Sequence, residues 1–144
     1  MEKTQNTPRF LRYTGTKTVY GAPLTRTEAA SRLGRNLKSD NNDEEEGYLV
    51  RYEDDYMSWS PKSTFEKAYK PSVTFLDRMH IEIDELKERI VSLNDFMLTK
   101  NYRELSDVEQ GMLVLQFTHM HDYHDALANR IDFYASQPDN GKDA

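Results

Sequence analysis

The sequence predicts an α+β fold: a small N-terminal antiparallel β module followed by a long antiparallel two-helix hairpin that oligomerises. Three observations carry this expectation. Between Leu76 and Met97 apolar residues recur in alternating steps of three and four, the seam of a helix that packs along its length. A second stretch, opening at Ser106, repeats that spacing. Ahead of both, Tyr48–Glu53 and Tyr56–Ser60 flank Asp54-Asp55 as two strands flank a tight turn.

In chain order, the run from Phe10 to Tyr20 carries Leu11, Tyr13 and Val19 among threonines and Gly15, which suits one strand or two bent ones. Ala22 to Leu33 reads as a short helix with Thr25 as its cap and Glu28 three residues later. Residues 36–46 are acidic and without periodicity, the composition of a mobile loop. After the hairpin, Ser60-Pro61 opens a short helix to Ala68, with Ser at the cap and Pro at the first helical position. These elements make a β-rich module over residues 9–70.

The helical hairpin spans residues 72–134. Its first seam is Leu76, Met79, Ile83, Leu86, Ile90, Leu93 and Met97, and Lys100-Asn101 punctuates its end. Ser106 and Glu109 form a capping box for the second helix. The second seam is Leu113, Gln116, Met120, Tyr123, Leu127, Arg130 and Tyr134, with Val108, Met112 and Leu115 in a shorter stripe beside it. Two long helices joined by a few residues pack antiparallel, and a lone pair leaves much apolar surface wet, so assembly completes it. The tail, residues 135–144, has the composition of a disordered segment.

Composition narrows the function. With 144 residues, 37% of them hydrophobic and 31% charged, the chain buries a modest core. Its net charge of −6 argues against binding DNA or RNA, which calls for a basic surface. The absence of cysteine excludes disulfides and thiolate sites and fits a reducing cytoplasm. The start, MEKTQNTPRF, holds no signal-like apolar run, and no stretch approaches the length of a membrane span, so a soluble intracellular protein is expected.

The residues that could carry chemistry are few. Gln116 and Arg130 occupy seam positions that call for apolar side chains. Either they fix register and snorkel at a helix end, or they face a polar cavity where Arg holds phosphate and Gln reads a base or ribose. His119, His121 and His124 are spaced wrongly to share a helix face, so no metal is expected. Tyr102 and Arg103 precede the second helix, near an N-terminus suited to anions, or form an aromatic staple beside a solvated arginine. Trp59 and Lys62 straddle the short helix's cap, where a lone tryptophan serves a core more often than a ligand. Neither a phosphate loop nor a nucleophile elbow occurs, which points to a binding protein, not an enzyme, with no cofactor.

Two segments carry a family resemblance. YTGTKTVYGAPLTRTEA with EEGYLVRYEDDYMSWSPKSTFEKAY resembles a small module of tailed-phage proteins. The stretch from Phe75 to Ile131 resembles the helical hairpin shared by anti-Thoeris sponges of the first type and anti-CBASS sponges. The framework is Arg78, Glu82, Leu86, Leu93, Phe96, Leu105, Gln116, Met120, Tyr123, Leu127, Arg130 and Ile131. The resemblance implies a phage anti-defence protein, a homodimer or homohexamer in the cytoplasm of the infected bacterial host. Such a protein binds glycocyclic ADP-ribose, and in some relatives CBASS cyclic di- or trinucleotides, without cleaving them. On this resemblance the ligand-binding residues would be Asn94, Phe96, Gln116, Tyr123 and Arg130, with Arg78 and Lys62 outside them. Tyr102-Arg103-Glu104-Leu105 matches a YRxL motif whose Tyr contacts cyclic dinucleotides, and Phe117 stands where those members carry lysine. Relatives often have Asp-Gly at the position of Asp54-Asp55. The rival reading is an oligomeric coiled-coil interaction module that binds a host protein and no small molecule, since a regular seam needs no ligand to explain it.

Overall fold

A computed structural model describes residues 8–37 and 44–138. The elements run β1 (Tyr20–Thr25), α1 (Arg26–Leu33), β2 (Glu46–Arg51), β3 (Met57–Pro61), α2 (Lys62–Ala68), α3 (Phe75–Met97), α4 (Lys100–Arg103) and α5 (Asp107–Ala135). The fold is α+β, and the chain divides into two compact units, Met1–Tyr69 and Lys70–Ala144.

The first unit is built on an antiparallel sheet of order β1-β2-β3. Its first strand falls later than expected: residues 8–19 have no regular structure, and Phe10, Leu11 and Tyr13 are exposed. Apolar residues alone make no strand without a ladder, and the ladder is set instead by Gly21 opposite Val50 and Ala22 opposite Leu49. Ring packing explains why Gly is used there. A Cβ on Gly21 would lie 2.8 Å from the Phe65 ring, which stacks on Tyr48 with centroids 4.2 Å apart. On the other face a Cβ on Gly47 would strike the Trp59 ring and the Ser60 carbonyl. The bare backbone lets Trp59 lie across β2 and donate its indole N–H to the Leu24 carbonyl at 2.9 Å. Val50 and Ala29 are almost completely buried.

Thr25 caps α1 reciprocally with Glu28 as expected, so the helix starts at Arg26 and the residues before it belong to β1. The β2–β3 hairpin turns at Asp54-Asp55. Asp55 takes φ 65°, a left-handed conformation that Asp tolerates better than most residues, and the Asp54 carboxylate accepts the Tyr56 N–H at 3.1 Å. Pro61, not Ser60, is the N-cap of α2, and no side chain caps it. Ser60 is paired opposite Tyr48 in the sheet and is thereby held out of the capping position. Within the acidic stretch, residues 38–43 lie outside those described. Its far end is tied down: Glu45 pairs with Arg26, and Glu46 opens β2.

In the second unit α3 begins at a capping box between Thr74 and Asp77. It ends at Met97, three residues before Lys100-Asn101, because Thr99 caps a separate helical turn, α4. Ser106 and Glu109 cap α5 reciprocally. The core joins Met79, Leu127 and Ile131 with Phe75, Leu76, Ile83 and Tyr134 around them, and Leu86 and Ile90 are buried further along α3. The Phe75 and Tyr134 rings meet edge to face at 4.9 Å.

The inward face of α5 differs from the expected seam at every second position. Leu113, Phe117, Met120, His124, Leu127, Ile131 and Tyr134 are buried or half-buried, whereas Gln116, Tyr123 and Arg130 are exposed. Both series alternate three and four and share every seventh residue. The hydrophobic effect chooses between them, turning Phe117 and Ile131 inward in place of Gln116 and Arg130. Residues 139–144 of the expected disordered tail lie outside those described; Ala135 ends α5, and Ser136 donates its hydroxyl to the Phe133 carbonyl at 2.8 Å.

Candidate functional site

At 100° per residue, Gln116, Tyr123 and Arg130 recur once per heptad along one flank of α5, about 10 Å apart and spanning about 21 Å. They border a second, mainly apolar stripe of Val108, Met112, Leu115, Ala126 and Phe133, interrupted by His119, which falls within about 60° on the helix surface. Leu115 and Phe133 are 58% and 57% exposed, so this stripe stays largely open among the described residues of its own unit. One helix thus presents two faces: a buried one that makes the hairpin, and an open apolar one edged with Gln, Tyr and Arg.

At the turn end of the hairpin, Leu105, Glu109, Met112, Leu113 and Gln116 line an open cavity of about 350 Å³. The Gln116 amide lies 3.8 Å from the Met120 sulfur. Close by in sequence, the Phe96 and Tyr102 rings meet edge to face at 6.1 Å. Gln110 fixes this turn by donating its amide to the Leu105 and Arg103 carbonyls at 2.9 and 3.3 Å. Sequence reasoning missed Gln110; a Gln one turn past a helix cap is the signal that could have found it.

At the N-terminus of α5 the Ser106 hydroxyl and backbone N–H donate to the Glu109 carboxylate at 2.7 and 3.0 Å, which places the chain's own negative charge beside the cap. These two hydrogen bonds, the hydroxyl's first, hold the Glu109 acid below its ordinary range. Arg103 turns back to donate to the Leu98 carbonyl at 3.3 Å.

The remaining candidates are dispersed. Asn94 and Arg78 are exposed on α3, and Arg78 lies one residue before the core Met79. Lys62 belongs to the first unit, where Glu46 accepts from its ammonium at 3.2 Å and raises its pKa. Phe117 is half-buried with its ring edge to face with His121 at 4.6 Å. His124 lies 3.4 Å from Asp125. Among the described residues no three acidic or histidine side chains gather to hold a metal. Nor is any described helix long and apolar enough to cross a membrane. The structure gathers Phe96 with Tyr102 and aligns Gln116, Tyr123 and Arg130, but it does not converge all of them on one enclosed pocket.

This flank lies within the segment that a known family shares. Residues 73–133, the α3–α5 hairpin almost entire, match the model of the family described as Sequestin. Neither a curated protein nor a solved structure matches the chain. The hairpin is what this chain has in common with that family.

Proposed function

We propose that the chain binds and sequesters a bacterial immune signalling nucleotide without cleaving it, acting as a phage anti-defence protein. The ligand in this reading is glycocyclic ADP-ribose of the Thoeris type, and CBASS cyclic oligonucleotides extend the same class. The family name speaks of sequestration. The observation that carries the reading is the alignment of Gln116, Tyr123 and Arg130 along an open flank of α5, at the edge of an apolar stripe.

The chemistry follows from those side chains. Arg130 offers a planar guanidinium that pairs bidentately with a phosphate, and Tyr123 offers a ring face to an adenine. Gln116 supplies donor and acceptor together, as reading a base edge or ribose hydroxyl requires. A flank on one helix cannot enclose a ligand, and tight sites bury most of the ligand surface. In this reading a second copy closes the site, laying its own apolar stripe over the first in a homodimer or homohexamer. Both copies then hide apolar surface, and the nucleotide lies between them. No bond in the ligand is made or broken.

The test is recovery. Incubate the purified protein with glycocyclic ADP-ribose, remove the free nucleotide by filtration, heat the protein and chromatograph the release. Intact nucleotide in stoichiometric amount supports sequestration; a cleaved product, or none retained, contradicts it. The exposed stripe of Val108, Met112, Leu115 and Phe133 favours a second reading, a module that binds a host protein through that face, and a heated protein that releases no nucleotide turns attention to it.

A further inference from the structure

The β2–β3 turn carries a second cavity, of about 510 Å³, lined by Lys17, Thr18, Tyr52, Glu53, Asp54 and Tyr56. Its walls are built. The Tyr52 and Tyr56 rings stack with centroids 5.9 Å apart and planes 27° from parallel. Their backbones are joined by a Tyr52 N–H donated to the Tyr56 carbonyl at 2.9 Å, and the Asp54 carboxylate braces the turn. Arg35 secures the outer ring, its guanidinium 5.6 Å from the Tyr56 centroid and donating to the Met57 carbonyl at 2.6 Å.

Besides Arg35 at the outer ring, Lys17 in the lining brings an ammonium to the inner one. The Lys17 ammonium stands 5.8 Å from the Tyr52 ring centroid. Ring faces attract ammonium groups through their quadrupole, and two carboxylates in the same lining add to that field. A phosphate here would meet Glu53 and Asp54. Lys17 comes from a stretch, residues 8–18, that is exposed and without regular structure, so the ring contact holds it and no element of the fold does. A contact of that kind yields to a better cation.

We infer that the Tyr52–Tyr56 cavity is a binding site for an alkylammonium group, with Lys17 as its internal occupant, displaced by a lysine side chain of a partner protein or by a free polyamine. This inference is independent of nucleotide sequestration and concerns the first unit alone. The two sources share one chemistry: a primary amine on a flexible apolar stem, seated against the rings in a lining that also holds Glu53 and Asp54.

The test uses the full chain with isotope-labelled tyrosines, titrated with spermidine, with acetyl-Gly-Lys-Gly-amide and, as an anionic comparison, with adenosine monophosphate. Saturable movement of the Tyr52 and Tyr56 ring signals with either amine supports the inference, and the tighter probe names the source. Replacing the internal occupant, Lys17→Met, should tighten amine binding by about threefold or more, because the competing state is gone. Glu53→Gln on the exposed turn should weaken it by a similar factor of about three and flatten its salt dependence. Rings that ignore both amines, or that answer to adenosine monophosphate at lower concentration, would overturn the assignment. So would a Lys17→Met chain whose amine affinity equals that of the parent.

Discussion

The Phe96 and Tyr102 rings meet edge to face with centroids 6.1 Å apart, across the break between α3 and α4. Both are half-buried, so part of each ring stays open to solvent while the pair braces the turn. Tyr102→Ala should lower affinity for a cyclic nucleotide by about tenfold, one stacking contact's worth, and Tyr102→Phe should keep most of it. Calorimetric titration of both variants decides. Equal loss in the two would assign the effect to the hydroxyl and contradict a stacking role.

Core and flank of α5 should separate cleanly. Leu127 is 2% exposed at the centre of the hairpin core, and Leu127→Ala should cost about 3 kcal/mol of stability in denaturant unfolding. Arg130→Ala with Tyr123→Ala touches only the flank and should move stability by less than about 0.5 kcal/mol per site. The same double variant should weaken nucleotide binding by about tenfold to a hundredfold, the range for losing one charge-assisted contact and more. Unchanged affinity would remove the flank from the site.

The sequence has one tryptophan, and its indole spans β2 to reach Leu24, so its fluorescence reports on the sheet of the first unit. Gly47→Ala places a methyl group in the Trp59 ring. The expected result is a red-shifted emission and a destabilisation of about 2 kcal/mol from overpacking, with α3 and α5 helicity retained. Unchanged emission would contradict the crossing geometry.

The α5 cap should respond to acid. The Glu109 pKa is depressed below the ordinary 4.5 by its Ser106 hydrogen bonds, so the cap's contribution is present above that value and is lost as pH falls through the folded pKa. Amide exchange at Glu109 and Gln110 should therefore quicken, relative to the intrinsic rate, below about pH 4.5. Glu109→Gln, which keeps an acceptor and drops the charge, should abolish that step. A step that survives the substitution belongs to another group.

What could be read from the chain divides along physical lines. Caps were legible because Thr25, Ser106 and their partners three residues on make strictly local bonds, and the Asp54-Asp55 turn was legible for the same reason. The α3 seam was legible because Met79, Leu86 and Ile90 leave no competing register. In α5 two registers share Leu113, Met120, Leu127 and Tyr134, and only packing selects Phe117, His124 and Ile131 as the alternates. That one-residue choice moved Gln116, Tyr123 and Arg130 from the seam to the flank. β1 was hidden for the opposite reason: Gly21 and Pro23 have poor strand propensity and are recruited by Phe65 and the β2 ladder, both distant in sequence. The Tyr52–Tyr56 cavity depends on Lys17, thirty-five residues before Tyr52, and no local pattern signals it.

Isothermal titration calorimetry of the full chain against glycocyclic ADP-ribose isomers, with cyclic di- and trinucleotides in parallel, decides whether the chain sequesters a nucleotide. Saturable binding of one glycocyclic isomer is expected at roughly nanomolar Kd, about −12 kcal/mol, with the nucleotide recovered intact. A folded, assembled protein that gives no heat across the whole panel would contradict it.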